Sequence, residues 1–149
     1  MGSDPRFMFS VSTTTRTMRE GEEEGVNYYY RTVDQFEEMI KNDEFLEWAL
    51  VFDNYYGTVK KEVDRIHSAG KIPLFDVDVQ GGRNLRGKLS AAFIFIMPPS
   101  MDSLKERLLK RSSDSEDQVN LRLKTAASEI LEADHYDYII INDDVDYAV

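Results

Sequence analysis

The stretch of sequence that decides the fold is residues 71–97, KIPLFDVDVQGGRNLRGKLSAAFIFIM. Apolar residues at 72–77 and 92–97 are typical of two strands, and the segment between them, to about Leu89, is predicted to be helical. Strands that alternate with helices form βαβ units, whose strands are parallel. Because helices cover both faces of such a sheet, we expect the strand at 92–97 to be buried on both faces.

The same alternation continues towards the C-terminal end of the sequence. Ser100 predicts the start of one helix, and Ser115 with Gln118 forms a capping box at the start of another. Residues 138–141 are the last predicted strand. The chain is therefore predicted to be an α/β protein with a parallel sheet at its core.

Residues 7–70 have a different pattern. Short aromatic and β-branched segments predict a small half-buried sheet from residues 7–12, 28–30, 45–52 and 55–58. A capping box of Thr32 and Gln35 predicts a helix between two of these strands. Thr58 is expected to cap a second helix, which Gly70 ends.

The composition excludes several classes of protein. A length of 149 residues, 42% of them hydrophobic, is that of one globular domain with a core. The net charge of −10 leaves no general attraction to nucleic acid or to an anionic membrane. The absence of cysteine excludes disulfides and thiolate chemistry. No apolar run approaches the roughly 20 residues of a membrane span, and no signal-peptide core is present. We therefore expect a soluble cytoplasmic protein without nucleic-acid or membrane partners.

An acidic chain can bind an anion only through a local cluster of basic residues. Residues 10–22, SVSTTTRTMREGE, place several hydroxyls beside Arg16 and Arg19 at the end of a predicted strand. A guanidinium can bind two phosphate oxygens at once, and hydroxyls can complete the coordination. Taken alone, such a segment is more typical of a solvated loop, so it indicates a phosphate site only in combination with other motifs.

Four further motifs follow in order. They are NDEFLEWA at 42–49, NYYGT at 54–58, DVDVQG at 76–81 and PPS at 98–100. Together with residues 10–22, they resemble the guanylate kinases along essentially the whole chain. The resemblance implies one P-loop-kinase-like domain, with a mixed-sheet GMP-binding subdomain at 8–70, a partial core at 71–110 and 123–149, and a helical lid at 111–122.

The resemblance implies a GMP site residue by residue. The GMP phosphate would be held by Arg16, Arg19, Tyr28 and Tyr56, and the other GMP-binding residues would be Ser12, Glu22, Glu47, Thr58 and Asp76. Of these, Ser12, Glu47 and Thr58 would recognise guanine. Guanine presents its N1–H and 2-amino donors side by side, so one carboxylate can accept both, and adenine has no such pair. Glu47 is therefore expected to discriminate guanine from adenine.

The resemblance also implies phosphoryl transfer from ATP to GMP, with Mg²⁺ that accompanies ATP and is not bound directly by protein side chains. Such transfer needs positioning and positive charge on the transferring group. The lid residues Arg111 and Arg122 are expected to supply that charge. Asp76 or Asp78 is expected to assist recognition of the guanine base or to contact a magnesium-bound water, with Asp78 counted among the catalytic residues. Asn142 is expected to contact the adenine of ATP.

One motif of the family, G-x-x-x-x-G-K-[ST], does not occur in these residues. Its backbone N–H groups and lysine cradle the ATP phosphates. A polypeptide of residues 1–149 is therefore expected to be inactive or impaired in phosphoryl transfer. In nucleoside monophosphate kinases the strand before this motif lies in the middle of the sheet. Without it, the strands at 72–77 and 92–97 would have open edges, which favours a homo-oligomer.

An alternative of a different class is a guanylate-kinase-like interaction domain, which binds phosphopeptides in the same arginine and tyrosine pocket. The retained motif at 76–81 argues against this alternative, because such domains generally lose it. No SH3 or PDZ segment accompanies the domain either. The kinase is therefore the leading hypothesis.

Overall fold

The computed structural model of the chain describes residues 4–110 and 116–144. In chain order, the elements are β1 (Phe7–Phe9), β2 (Thr13–Thr14), β3 (Tyr29–Tyr30), α1 (Val33–Lys41), β4 (Phe45–Val51), β5 (Asn54–Val59), α2 (Lys60–Ser68), β6 (Ile72–Leu74), α3 (Val79–Leu85), β7 (Ile94–Met97), α4 (Met101–Lys110), α5 (Glu116–Ile130) and β8 (Tyr138–Ile141). They are divided between two compact units, Met1–Leu89 and Ser90–Val149.

The first unit contains a four-stranded mixed sheet in the order β3-β2-β5-β4. Strand β2 runs parallel to β3 and antiparallel to β5, and β4 and β5 form a hairpin. Helix α1 covers this sheet with Phe36, which is fully buried and stacks on Phe45 at 4.3 Å and on Tyr55 at 5.1 Å between ring centroids. The predicted capping box of Thr32 and Gln35 is confirmed, because both of its hydrogen bonds are formed.

The same unit contains a second, two-stranded parallel sheet, in which β1 pairs with β6 and Phe7 lies opposite Ile72. The prediction that residues 7–12 form a strand of the small mixed sheet is therefore wrong. Alternation of apolar and polar residues indicates a half-buried strand, but it does not identify the strand's partner.

The start of α2 also differs from the prediction. Val59 occupies the N-cap position, and it makes no side-chain capping hydrogen bond. Thr58 instead lies in β5, where it is buried and its backbone N–H donates to Glu47 Oε1 at 2.9 Å. Gly70 follows α2 with a φ of +68°, as expected of the residue that ends a helix.

In the second unit, β7 and β8 pair in parallel, with Phe95 opposite Ile139. Phe95 is buried against Tyr136, at 5.0 Å between ring centroids. Ile94 and Ile96, which point to the other face, are 45% and 64% exposed. The prediction that this strand is buried on both faces is therefore wrong, because an apolar run does not reveal whether both faces are covered.

The helices of the second unit follow their predicted starts where these are described. Ser100 caps α4, since its Oγ accepts a hydrogen bond from the backbone N–H of Ser103 at 3.1 Å. The predicted cap at Ser115 lies outside the described residues. In the described part of the chain, no helix is long and apolar enough to cross a membrane.

Candidate functional site

The first feature of the candidate site is the buried carboxylate of Glu47 on β4. Phe45, Glu47 and Ala49 are buried and alternate with half-buried or exposed residues, so the pleat of the strand directs Glu47 inwards. Its exposed fraction is only 5%. Its Oε1 atom accepts the backbone N–H of Thr58, and its Oε2 atom lies close to Gly81 of α3. A polar carboxylate therefore occupies the space between β4, β5 and the first turn of α3.

Burial raises the pKa of the Glu47 carboxyl, because a charged group is less well solvated inside the protein. Hydrogen bonds from the side chain and backbone of Thr58 offset part of that rise, whereas the charge of Asp78 adds to it. A buried carboxylate is stabilised by every N–H donor that reaches it. The site is thus suited to a ligand with neighbouring N–H groups.

Two aspartates of the motif at 76–81 adjoin the site. Asp78 is the N-cap of α3, and its Oδ1 atom accepts the backbone N–H of Gly81 at 2.8 Å. Gln80 donates to its Oδ2 atom at 3.3 Å. Burial and neighbouring charges, including that of Asp76, raise the pKa of Tyr28. The motif therefore places one carboxylate near Glu47 and the other near Tyr28.

The second feature is a cluster of Arg16 with three tyrosines. The Arg16 guanidinium lies over the ring of Tyr28, at 5.3 Å from its centroid. The Tyr28 ring is packed edge-on against Tyr30 and Tyr56, each at 6.0 Å between centroids. A cation surrounded by phenol hydroxyls can bind a phosphate group.

Glu22 organises this cluster. Its carboxylate accepts from Arg16 Nη2, from the Tyr30 hydroxyl and from the Arg19 backbone N–H, each at 2.7 Å. These hydrogen bonds, with that of Arg16 first, lower the pKa of Glu22 to about 2. The same contact raises the pKa of Arg16, so the guanidinium remains charged. Burial and the bond to Glu22 raise the pKa of Tyr30 to about 12.

One cavity of about 280 Å³ lies beside α1, and another of about 230 Å³ lies in the second unit. The latter is lined by Ile96, Met97, Pro98, Leu104, Arg107, Leu108 and Asn142. Asn142 is held there because its backbone N–H donates to Met97 O at 2.8 Å. This cavity combines apolar walls with an amide side chain, as expected of a site for a flat heterocycle.

Comparisons with known proteins identify the family. The family model for guanylate kinase matches residues 2–149. The chain is 44% identical to the guanylate kinase of Rickettsia felis over 98% of this chain and 77% of that protein. It is 46% identical to the guanylate kinase of Carboxydothermus hydrogenoformans, over 98% and 72% respectively. The chain belongs to the guanylate kinase family.

A solved structure supports the same assignment. The crystal structure of guanylate kinase from Anaplasma phagocytophilum matches with a TM-score of 0.80 at 36% identity, covering 95% of this chain and 70% of that one. The resemblance inferred from five motifs is thereby confirmed, as is the P-loop-kinase-like α/β fold class. The roles of individual residues stay predictions.

The structure brings together most of the residues that were predicted from the guanylate kinase motifs, but not all of them. Ser12 is half-buried just before β2, and its carbonyl accepts the backbone N–H of Tyr29 at 2.9 Å. The Arg19 side chain is exposed. Arg122 lies on α5 and is half-buried, whereas Arg111 falls outside the described residues.

Two residues of the candidate site were missed from the sequence. Tyr30 lies on β3, and Tyr28 directly precedes that strand. Strand alternation predicts from the sequence that these two side chains share a face, but Tyr30 was not assigned to the site. Gly81 was recognised only as part of a motif, although its contact with Glu47 makes it part of the site. Among residues 4–110 and 116–144, no group of three or more His, Asp or Glu side chains is arranged to hold a metal ion.

Proposed function

We propose that the chain binds GMP and carries the GMP-binding, lid and partial core regions of a guanylate kinase, the enzyme that transfers a phosphoryl group from ATP to GMP. The observation that carries this proposal is the buried carboxylate of Glu47, held beside Thr58 and Gly81. The guanine N1–H and 2-amino group can both donate to it. Adenine has no such pair of donors and would leave the buried carboxylate with only its hydrogen bonds from Thr58. Such a loss of polar contacts discriminates strongly between ligands.

The phosphate of GMP belongs at Arg16, Tyr28 and Tyr56. Arg16 has five N–H donors, and its contacts with Glu22 Oε1 and the Thr17 carbonyl leave donors for phosphate oxygens. Glu22 holds the guanidinium in place, and Arg19 adds a second positive charge from the same loop. The ligand is thus recognised at both ends.

Phosphoryl transfer requires positioning of the two nucleotides and positive charge on the transferring group. We assign the charge to Arg111 and Arg122, and a contact with adenine to Asn142 in its cavity. Mg²⁺, when bound with ATP, neutralises phosphate charge. The carboxylate of Asp76 is exposed, and its oxygen atoms suit contact with the water molecules around that ion. Asp78 orients the same loop through its hydrogen bond with the Gly81 backbone N–H.

The alternative function, binding of a phosphopeptide, would use only the cluster around Arg16. It provides no donor for Glu47, whose buried carboxylate would remain without a ligand. The geometry therefore favours a nucleotide over a peptide.

We further propose that the protein is cytoplasmic. Its ligands are GMP and ATP, and it has no nucleic-acid or membrane partners.

We also propose that the protein forms homo-oligomers. Within the described residues, β6 pairs only with β1 and β7 only with β8, so each has an unpaired edge. Exposed isoleucines at positions 72, 94 and 96 lie on these strands. Unpaired edges with apolar side chains tend to associate with another chain.

The experiment that tests the function is calorimetric titration of the chain with GMP and with AMP. We expect GMP to bind at least about 100-fold more tightly than AMP, and Glu47→Gln to remove most of that difference. Equal affinities for the two nucleotides would contradict the proposal. In a coupled ADP-release assay, a polypeptide of residues 1–149 is expected to give no turnover above background.

A further inference from the structure

Glu62, on α2, is a second buried carboxylate and has no part in the function proposed above. It is only 3% exposed. Its Oε1 atom accepts hydrogen bonds from the Tyr29 hydroxyl at 3.0 Å and from Arg65 Nε at 2.9 Å. Its Oε2 atom accepts from the Val11 backbone N–H at 3.0 Å and from Arg65 Nη2 at 2.8 Å. All four donors therefore converge on one side chain.

The partners of Glu62 are neighbours of the proposed GMP-binding residues. Val11 directly precedes Ser12, which belongs to the guanine end of the site. Tyr29 lies on β3, between Tyr30 and Tyr28, which directly precedes the strand, and its side chain is on the opposite face. Glu62 thus connects the segment that carries Ser12 with the strand that directly follows Tyr28.

The backbone reinforces this connection. The Tyr29 N–H donates to the Ser12 carbonyl at 2.9 Å, and Thr13 lies opposite Tyr29 in the parallel pairing of β2 with β3. Helix α2 itself begins two residues after Thr58, another residue of the guanine end. Three segments that contribute to the site are therefore linked through α2 and its one buried carboxylate.

Stabilisation of the fold alone does not explain why a carboxylate is buried at position 62. Burial of a carboxylate is unfavourable, and an apolar side chain of similar volume stabilises a fold as well or better. What a carboxylate with four donors supplies is a defined geometry among the groups that donate to it. The groups around Glu62 are the supports of the two ends of the nucleotide site.

We infer that Glu62 is a positioning residue, which sets the distance between the guanine end and the phosphate end of the GMP site. The inference rests on the proposed function. Its consequence is specific: Glu62 matters for a ligand that occupies both ends at once, and much less for a ligand that occupies only the guanine end.

The test compares GMP with guanosine by calorimetry of the full chain, in the unsubstituted protein and in Glu62→Gln. The quantity of interest is the ratio of the two dissociation constants, guanosine over GMP. We expect Glu62→Gln to reduce this ratio by about tenfold. A shift of about an ångström between the guanine end and the phosphate end weakens binding of a ligand that must contact both. The guanosine constant itself should change by less than about threefold.

The control is Asp43→Asn, which removes an exposed ion pair with Lys60 on the same helix. Asparagine tolerates the positive φ of 55° at this position. The control should leave the ratio unchanged. If Glu62 had only a structural role, Glu62→Gln would lower the fraction of binding-competent protein, seen as a lower stoichiometry, and the ratio would stay the same. That result would overturn the inference.

A milder variant covers the case in which Glu62→Gln fails to fold. Tyr29→Phe removes one donor and leaves Arg65 and Val11 bound to Glu62, and we expect it to reduce the ratio by about threefold. An unchanged ratio in a folded Tyr29→Phe protein would overturn the inference while the proposed function stands. If the unsubstituted chain binds neither ligand, the proposed function fails, and the positioning role fails with it.

Discussion

Gly81 lies so close to Glu47 that a Cβ atom at Gly81 would approach Glu47 Oε2 to 2.8 Å and the Val77 side chain to 3.0 Å. A contact of 2.8 Å is essentially never seen at a real Cβ atom, so the Glu47 carboxylate or the backbone of Gly81 would have to move. The missing side chain lets the first turn of α3 pack directly against the carboxylate. A glycine on one element thus determines where the Glu47 carboxylate of another element can lie.

The first prediction is that Gly81→Ala weakens GMP binding by about tenfold, because the new methyl group displaces the Glu47 carboxylate. Alanine has a higher helix propensity than glycine, so a loss of helix stability would not explain weaker binding. A double-mutant cycle with Glu47→Ala provides the control. Once the carboxylate is gone, Gly81→Ala should cost little further affinity. Additive losses would show that the alanine acts elsewhere.

The second prediction concerns the phosphate end. Arg16→Gln should weaken GMP by about 10- to 100-fold, the range expected for loss of a charged hydrogen bond, and should leave guanosine almost unaffected. Arg6→Gln is a matched control, since Arg6 is an exposed arginine paired with Asp4. Equal losses for GMP and guanosine in Arg16→Gln would show that Arg16 supports the fold and not the phosphate.

The third prediction is a pH dependence of guanosine binding. Because burial raises the pKa of Glu47, the ionised carboxylate that accepts the guanine donors is lost at a higher pH than in an exposed glutamate. Guanosine affinity should therefore decline as the pH falls, beginning above the ordinary glutamate value of about 4.3. Guanosine has no phosphate whose titration would interfere. Glu47→Gln should bind weakly with a flat profile, and an equally flat profile in the unsubstituted protein would exclude this role.

The fourth prediction concerns acid stability. The bonds from Arg16, Arg19 and Tyr30 lower the pKa of Glu22 to about 2. A depressed pKa stabilises the folded state above the unfolded-state pKa, and this contribution is lost as the pH falls from that value towards 2. The melting temperature of Glu22→Gln should therefore be lower than that of the unsubstituted protein at pH 6, and the difference should shrink towards pH 2. A constant difference would contradict the assigned pairing with Arg16.

The fifth prediction concerns association. Size-exclusion chromatography with light scattering at tens of micromolar should show a dimer or a larger assembly of residues 1–149, because strand edges and isoleucine side chains are exposed. Ile96 in β7 is 64% exposed, and the substitution Ile96→Lys should shift the protein towards monomer. A well-folded monomer with a cooperative melt would refute association through the open sheet.

Much of this protein could be predicted from its sequence. The capping box of Thr32 and Gln35, the cap at Ser100 and the strand Tyr138–Ile141 were all predicted and are confirmed. Each depends on residues within a few positions of one another, so the chain determines it locally. The five ordered motifs likewise indicated the family, because they combine the residue types that bind a nucleotide with a fixed order along the chain.

Other features were decided only by tertiary structure. The partner of β1, the exposure of Ile94 and Ile96, the approach of Gly81 to Glu47 and the four donors of Glu62 depend on contacts between segments far apart in the chain. No periodicity or local spacing encodes such contacts. Packing brings segments that are distant in the sequence to within a few ångströms of each other. Hydrogen bonds, steric exclusion and pKa shifts arise only at such short separations.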